Sequence, residues 1–216
     1  MKRIIFDFDG TLIDSRLRLF KLFSDLEPDL KFTFEEYWNL KRNGNSHENI
    51  LNDLKGNCYY KQSNFEARWM DLIEDSNYLS FDTPFDAVTQ ILEQLLSDGY
   101  DLWLLTARQY SSTVVDQLSS FGWSNIFSKT LVTGQVLSKK ELLLIEATDF
   151  KSSIMIGDTG KDITTAQEVG AYSIAVLSGF LCFEKLKIYK PNEFLNNVTE
   201  LYSSKFFKSK YDHPLP

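Results

Sequence analysis

Two aspartates one residue apart, Asp7 and Asp9, end the short apolar run in RIIFDFDGTL and are followed at once by Gly10 and Thr11. Carboxylates this close repel each other unless a cation stands between them or one of them holds a proton. A packed core needs neither arrangement, so the pair points to metal or proton-transfer chemistry. Further polar residues recur at similar places. Thr106 follows DLWLL, Asp158 follows SSIMIG, and Asp162 lies one helical turn further on in GDTGKD. Lys139 and Lys140 open the segment KKELLL, in a first helical turn where a lysine is disfavoured by about 0.3–1 kcal/mol. Taken singly, each has an ordinary explanation: an aspartate after a strand is a turn former or a helix cap, and a lysine pair is a wet surface. The combination is harder to dismiss. D-x-D-G-T alone is expected in on the order of one in several hundred chains of this size. A strand-end threonine, a lysine and G-D-x-x-x-D in that order make coincidence a poor account.

These residues need elements to bring them together. Ile4, Ile5 and Phe6 read as a strand buried on both faces. From residue 84 onward helices and strands alternate: a helix from Pro84 to Gly99 with Thr83 as its cap, a strand over 101–105, a helix ending at Gly122, a strand over 129–133, a helix opened by a Ser138/Glu141 capping box, a strand over 152–157, a helix closed by Gly170, and a strand over 172–177. Single helices between strands predict an α/β fold with a mainly parallel sheet and helices on both faces. Right-handed crossovers then bring every strand's carboxyl end to one edge, where ligands of such folds bind. Residues 15–81 break the rhythm. FTFEEYWNLKRNG, SHENILNDLKG and SNFEARWMDLIEDS read as helices, with Thr33/Glu36 and Ser63/Glu66 as capping boxes. The predicted organisation is an α/β core of residues 1–14 and 82–216, with a small all-helical domain, 15–81, inserted after the first strand. The inserted segment's aromatics, among them Phe20, Phe23, Tyr37, Trp38, Phe65 and Trp69, are expected to fill its own core.

Composition narrows the function. The 216 residues carry a formal net charge of -7, which argues against broad binding to nucleic acid or an anionic membrane. A small anionic partner remains compatible, because a site can be locally positive. No apolar run is long enough to span a bilayer, and the apolar stretch of MKRIIFDFDG stops at Asp7, too early for a signal peptide. Cys58 and Cys182 fit no metal spacing and read as reduced thiols of a cytoplasmic protein. Lys205, Lys208 and Lys210 are expected in a solvated tail, His47 is expected on an exposed helix face, and His213 has no assigned role.

FDFDGTL, LLTAR, SKKELL and IGDTGKDI together resemble the four motifs of the haloacid dehalogenase superfamily, and VGAYSIAVLSG is similar to the same family. The resemblance covers most of the chain. It implies a Rossmann-like core with the helical insertion as a cap, in the phosphatase branch that includes phosphoglycolate phosphatases and β-phosphoglucomutases. Carried onto this sequence, it makes Asp7 a nucleophile that attacks phosphorus and Asp9 a general acid and then base. Asp7, the backbone carbonyl of Asp9, and Asp158 would hold Mg²⁺, supported by Asp162. Thr106, the Ala107 N–H and Lys139, in preference to Lys140, would hold the phosphoryl oxygens. Asp9 favours phosphoryl transfer over dehalogenation, because expelling a halide needs no acid. Lys41 and Arg42 in the cap are candidates for substrate recognition, and Arg108 for either a substrate contact or an outward ion pair. The implied function is a Mg²⁺-dependent phosphatase of a small phosphorylated metabolite, as a monomer or small homo-oligomer. The alternatives are a phosphomutase and a non-catalytic regulatory or binding protein of the same fold.

Overall fold

The computed structural model describes residues 2–211, and side chains as far as residue 208. Strands β1 (Arg3–Phe6), β4 (Asp101–Thr106), β5 (Lys129–Val132), β6 (Ile154–Gly157), β7 (Tyr172–Val176) and β8 (Glu193–Leu195) form one sheet in the order β5-β4-β1-β6-β7-β8. Every neighbouring pair is parallel, with Ile4 opposite both Leu102 and Ile154. The chain builds outward from β1 through β4 to β5, then returns to place β6 on the other side of β1. The crevice beyond β1 and β6 is therefore the switch point at which such sheets bind ligands.

The central strands alternate between two cores. Ile4, Phe6, Leu102, Leu104 and Ile156 face α7 (Val88–Ser97) and α8 (Ser111–Ser120) through Val88, Leu92, Val114 and Leu118. Ile5, Trp103, Leu105 and Met155 face α9 (Lys139–Glu146) and α10 (Gly160–Val169) through Leu143 and Ala166. With both faces covered, the strands read as unbroken apolar runs. The Ser138/Glu141 capping box is present at the start of α9.

The helical segment contains α1 (Arg16–Leu26), α2 (Phe34–Arg42), α3 (His47–Lys55), α4 (Tyr59–Gln62), α5 (Phe65–Leu72) and α6 (Ser76–Leu79). Its core is built from Phe23, Tyr37, Ile50, Leu51 and Phe65, with Phe20 and Trp69 packed against them. Trp38 departs from this set and stacks obliquely on Phe180, across the boundary with the sheet-bearing part. The Thr33/Glu36 box forms, whereas Ser63/Glu66 does not: Asn64 precedes α5 with φ 56°, and the Ser63 hydroxyl donates to the Tyr60 carbonyl.

Two sequence expectations change outside that segment. Thr83-Pro84 does not open a helix. It is a short strand, β3, paired antiparallel with β2 (Ile13–Asp14), so that the two chain crossings between the helical segment and the sheet run side by side. The Phe85 N–H donates to the Leu12 carbonyl, and the helix starts only after Ala87, which takes a left-handed conformation at φ 59°. The lysine-bearing end is also more ordered than a tail. After a short helix α11 (Phe183–Leu186), the last described element is α12 (Lys205–Tyr211), which buries Phe207 in the core while Lys205 and Lys208 stay exposed. The Lys210 side chain and His213 lie outside the described residues.

Candidate active site

β1, β4 and β6 deliver Asp7, Thr106 and Asp158 to adjacent places on the carboxyl edge, because the three strands are neighbours in register. Asp7, Asp158 and Asp162 are buried, and each places a carboxylate oxygen within 4.8 Å of the other two. The Thr11 hydroxyl sits between two of them, 3.4 Å from Asp7 and 3.3 Å from Asp158. The Phe180 N–H donates to Asp158 at 2.6 Å. The chain packs so tightly around Asp158 that a Cβ at either Gly10 or Gly179 would overlap its carboxylate.

One ammonium serves this acidic group. Lys139, from the first turn of α9, pairs with Asp7 and lies 2.5 Å from Asp162. Lys140 points elsewhere, to Glu168 at 3.7 Å on the surface. Burial, with the charges of Asp162 and Asp9, raises the Asp7 carboxyl to about 7 even against the opposing pull of Lys139. Burial and the charges of Asp7 and Asp162 hold Asp158 well above the usual carboxylate range. Lys139 itself is held above the ordinary lysine range, because Asp162 and Asp7 outweigh the cost of its burial. Three buried carboxylates around one ammonium leave the site short of positive charge.

The carboxylate of Asp9 takes no part in that acidic group. It faces Arg108, at 2.7 and 2.8 Å, and Arg18, which reaches it from the cap helix α1. Asp82, at the second crossing, is buried and completes a square of charges, 3.0 Å from Arg18 and 3.0 Å from Arg108. Burial pushes Asp9 upward, but Arg108 and Arg18 overcome it and hold the group below the usual carboxylate range. Arg108 is therefore neither an outward ion pair nor an unengaged cation. Neither Arg18 nor Asp82 stood out in the sequence, since four residues at 9, 18, 82 and 108 have no spacing to announce them.

A cavity of about 290 Å³ lies over Asp7, between the strand ends and the helical segment. Thr106, Ala107 and Lys139 line its floor, and Leu19, Trp69, Met70 and Ile73 line the cap side. The Thr106 hydroxyl accepts the Arg108 N–H at 3.3 Å, and the Ala107 carbonyl accepts from the Gln135 side chain. Lys41 and Arg42 do not line this cavity. Arg42 donates to the Leu177 carbonyl at 3.1 Å, and Lys41 is lowered to about 8 by burial near His47. His47 is not on an exposed face. It bonds the Tyr37 hydroxyl at 2.9 Å among Phe23, Phe65 and Trp69, and burial and Lys41 keep it well below the ordinary histidine range. Cys58 and Cys182 are both free. No helix among the described residues is long and apolar enough to cross a membrane.

A parallel sheet with an acidic group at its switch point and a helical insertion above it defines a doubly wound, Rossmann-like α/β protein whose ligand site lies at the strands' carboxyl edge. The sequence signature of the haloacid dehalogenase-like hydrolases matches residues 4–176, and the chain belongs to that family. It is 24% identical to a phosphoglycolate phosphatase of Synechococcus elongatus over 205 residues, 93% of this chain and 95% of the relative. It is also 24% identical to the pyrophosphatase PpaX of Listeria monocytogenes serotype 4b over 216 residues, 92% of this chain and 93% of the relative. Among solved structures, a haloacid dehalogenase-like hydrolase of Streptococcus pneumoniae superposes with a TM-score of 0.71 at 19% identity, covering 94% of this chain and 97% of the other. A predicted phosphoglycolate phosphatase of Haemophilus somnus gives a TM-score of 0.73 at 18% identity, with 94% and 97% covered. The structural likenesses establish the shared fold.

Proposed function

We propose that the protein is a Mg²⁺-dependent phosphatase that hydrolyses a small phosphate monoester through an aspartyl-phosphate on Asp7. The observation that carries this reading is the position of Asp7: a strand-end carboxylate open to the cavity, beside Lys139, Thr106 and Ala107. The phosphatase and pyrophosphatase relatives support the same chemistry.

The donor set fits a hard divalent cation. Asp7, Asp158 and Asp162 offer only oxygen, they are buried together, and one ammonium does not balance them. Asp7 and Asp158, with Asp162 in support, would hold Mg²⁺, which when bound would neutralise charge on the phosphoryl oxygens and relieve the repulsion that raises Asp7 and Asp158.

An Asp7 oxygen attacks phosphorus as the bond to the ester oxygen breaks, which splits one difficult displacement into two. Thr106, the Ala107 N–H and Lys139 hold phosphoryl oxygens as charge moves onto them. In the second step Asp9 takes a proton from water, which attacks phosphorus and frees Asp7. The arginine pair keeps Asp9 ionised and ready as a base. For the first step Asp9 must instead carry a proton to the leaving oxygen. Arg18 and Arg108 oppose this protonation where Asp9 stands, so the acid role requires the Asp9 carboxylate to turn away from the two guanidinium groups toward the leaving oxygen. Closure of the cap over the cavity excludes water from the reacting group.

The test is hydrolysis of a panel of phosphate esters, with and without Mg²⁺, by the wild type and by Asp7→Asn. Phosphate release is expected only from the metal-loaded wild type. Equal turnover by Asp7→Asn removes Asp7 as nucleophile, and an isomerised sugar phosphate without free phosphate favours a mutase.

A further inference from the structure

A second space of about 350 Å³ adjoins the cavity over Asp7, and Ala107, Gln135, Lys139 and Lys161 border both. The walls of this second space carry the hydroxyl residues Thr133, Ser138, Thr164 and Thr165. Four cations line the main cavity: Arg18, Arg108, Lys139 and Lys161. The first three are each committed to two carboxylates. The ammonium of Lys161 makes no hydrogen bond or ion pair among the described residues, and it is exposed at the junction of the two spaces. The cap side cannot replace it, since Leu19, Trp69, Met70 and Ile73 present apolar surface and Arg18 is neutralised by Asp9 and Asp82.

We propose that Lys161 is a specificity-determining residue, which receives a second anionic group carried by the leaving part of the substrate. This rests on the phosphatase reading and narrows it to esters or anhydrides whose leaving group bears a carboxylate or another phosphoryl group. The phosphoryl group being transferred occupies the Thr106, Ala107 and Lys139 floor, so the remaining anion must find its cation outside that floor. Lys161 stands beside it, and Gln135 and the threonine hydroxyls can share the hydrogen bonding. A charge-assisted hydrogen bond in a partly closed cavity is strong enough to set substrate preference. The names of the two sequence relatives are consistent with this class, for phosphoglycolate carries a carboxylate and pyrophosphate a second phosphoryl group. The reader of the leaving group is then on the core helix α10, directly after the metal-side loop, and not on the cap.

The experiment measures steady-state kinetics of the full chain with Mg²⁺ on matched substrates: phosphoglycolate, its neutral counterpart 2-hydroxyethyl phosphate, and inorganic pyrophosphate. The wild type is expected to prefer the two doubly anionic substrates. In Lys161→Met, the ratio of kcat/KM for either of these to that for 2-hydroxyethyl phosphate falls by about tenfold or more, chiefly through KM. Lys161→Arg restores much of the ratio. Loss for phosphoglycolate alone assigns the second group as a carboxylate, and loss for pyrophosphate alone as a phosphoryl group. A ratio unchanged in Lys161→Met, or a wild type that favours the neutral ester, overturns the proposal while leaving the phosphatase reading intact. If the wild type releases phosphate from none of these substrates or from any other ester, the phosphatase reading fails, and this proposal with it.

Discussion

Replacing Asp7 with asparagine should stabilise the metal-free protein more as pH rises. Burial and the neighbouring carboxylates move the Asp7 carboxyl from its ordinary 3.8 to about 7 in the folded chain. Between those values the native state holds a proton that the unfolded state has lost, so stability falls as pH rises through this window and levels off above it. Asp158, shifted in the same direction, adds to the slope. Lys139 and Asp9 add none near neutrality, since the first stays protonated and the second stays ionised in both states. From about pH 5 to about pH 7.5, the Asp7 carboxyl alone costs the folded chain about 2.5 kcal/mol. For a chain of this length that corresponds to about 5–10 °C in Tm. The assay is thermal or urea unfolding of the wild type and Asp7→Asn in a chelator at both pH values. The attraction of Lys139 is already contained in the Asp7 value, and asparagine does not titrate, so the difference between the two proteins isolates the titration. That difference should move by about 2.5 kcal/mol in favour of the variant on going to the higher pH. Mg²⁺ should then stabilise the wild type more at the higher pH, where less proton has to leave Asp7 for the ion to bind. A difference that stays flat, or moves the other way, refutes the account of strained carboxylates at the strand ends.

Two other substitutions probe the neighbouring structure. Arg18→Leu withdraws the cap's guanidinium from Asp9, Asp82 and the Ile73 carbonyl, and should lower the unfolding free energy by about 3–5 kcal/mol in chemical denaturation, because it leaves buried charge undercompensated. Gly10→Ala combines a φ of +81° with overlap on Asp158, so it should destabilise by about 1–3 kcal/mol and weaken Mg²⁺ binding by calorimetry; Gly99→Ala, at φ +79° with open space around it, should show the backbone cost without the loss of metal.

The candidate site at the strand ends was legible because its signals are local. Asp7, Thr106 and Asp158 each follow an apolar run, Lys139 follows a capping serine, and parallel pairing does the rest. What stayed hidden depends on partners far along the chain. Pro84 has the local grammar of a helix start, yet pairing with Ile13 turns it into a strand. His47 sits on a polar-looking stretch, yet helix packing encloses it among aromatic rings. The square of Asp9, Arg18, Asp82 and Arg108 is visible only once the cap is laid on the sheet. Gly179 has no local signal of its own, and only the packed fold reveals that it makes room for Asp158.

The pairing of Asp14 with Thr83 carries a consequence for descent. The helical excursion departs and returns at one spot, like a branch on a two-stranded stalk, so its size places no demand on the register of β1 against β4. A lineage can thus exchange the whole branch by recombination at those two spatially adjacent points, acquiring a new roof while inheriting the acidic strand ends unchanged.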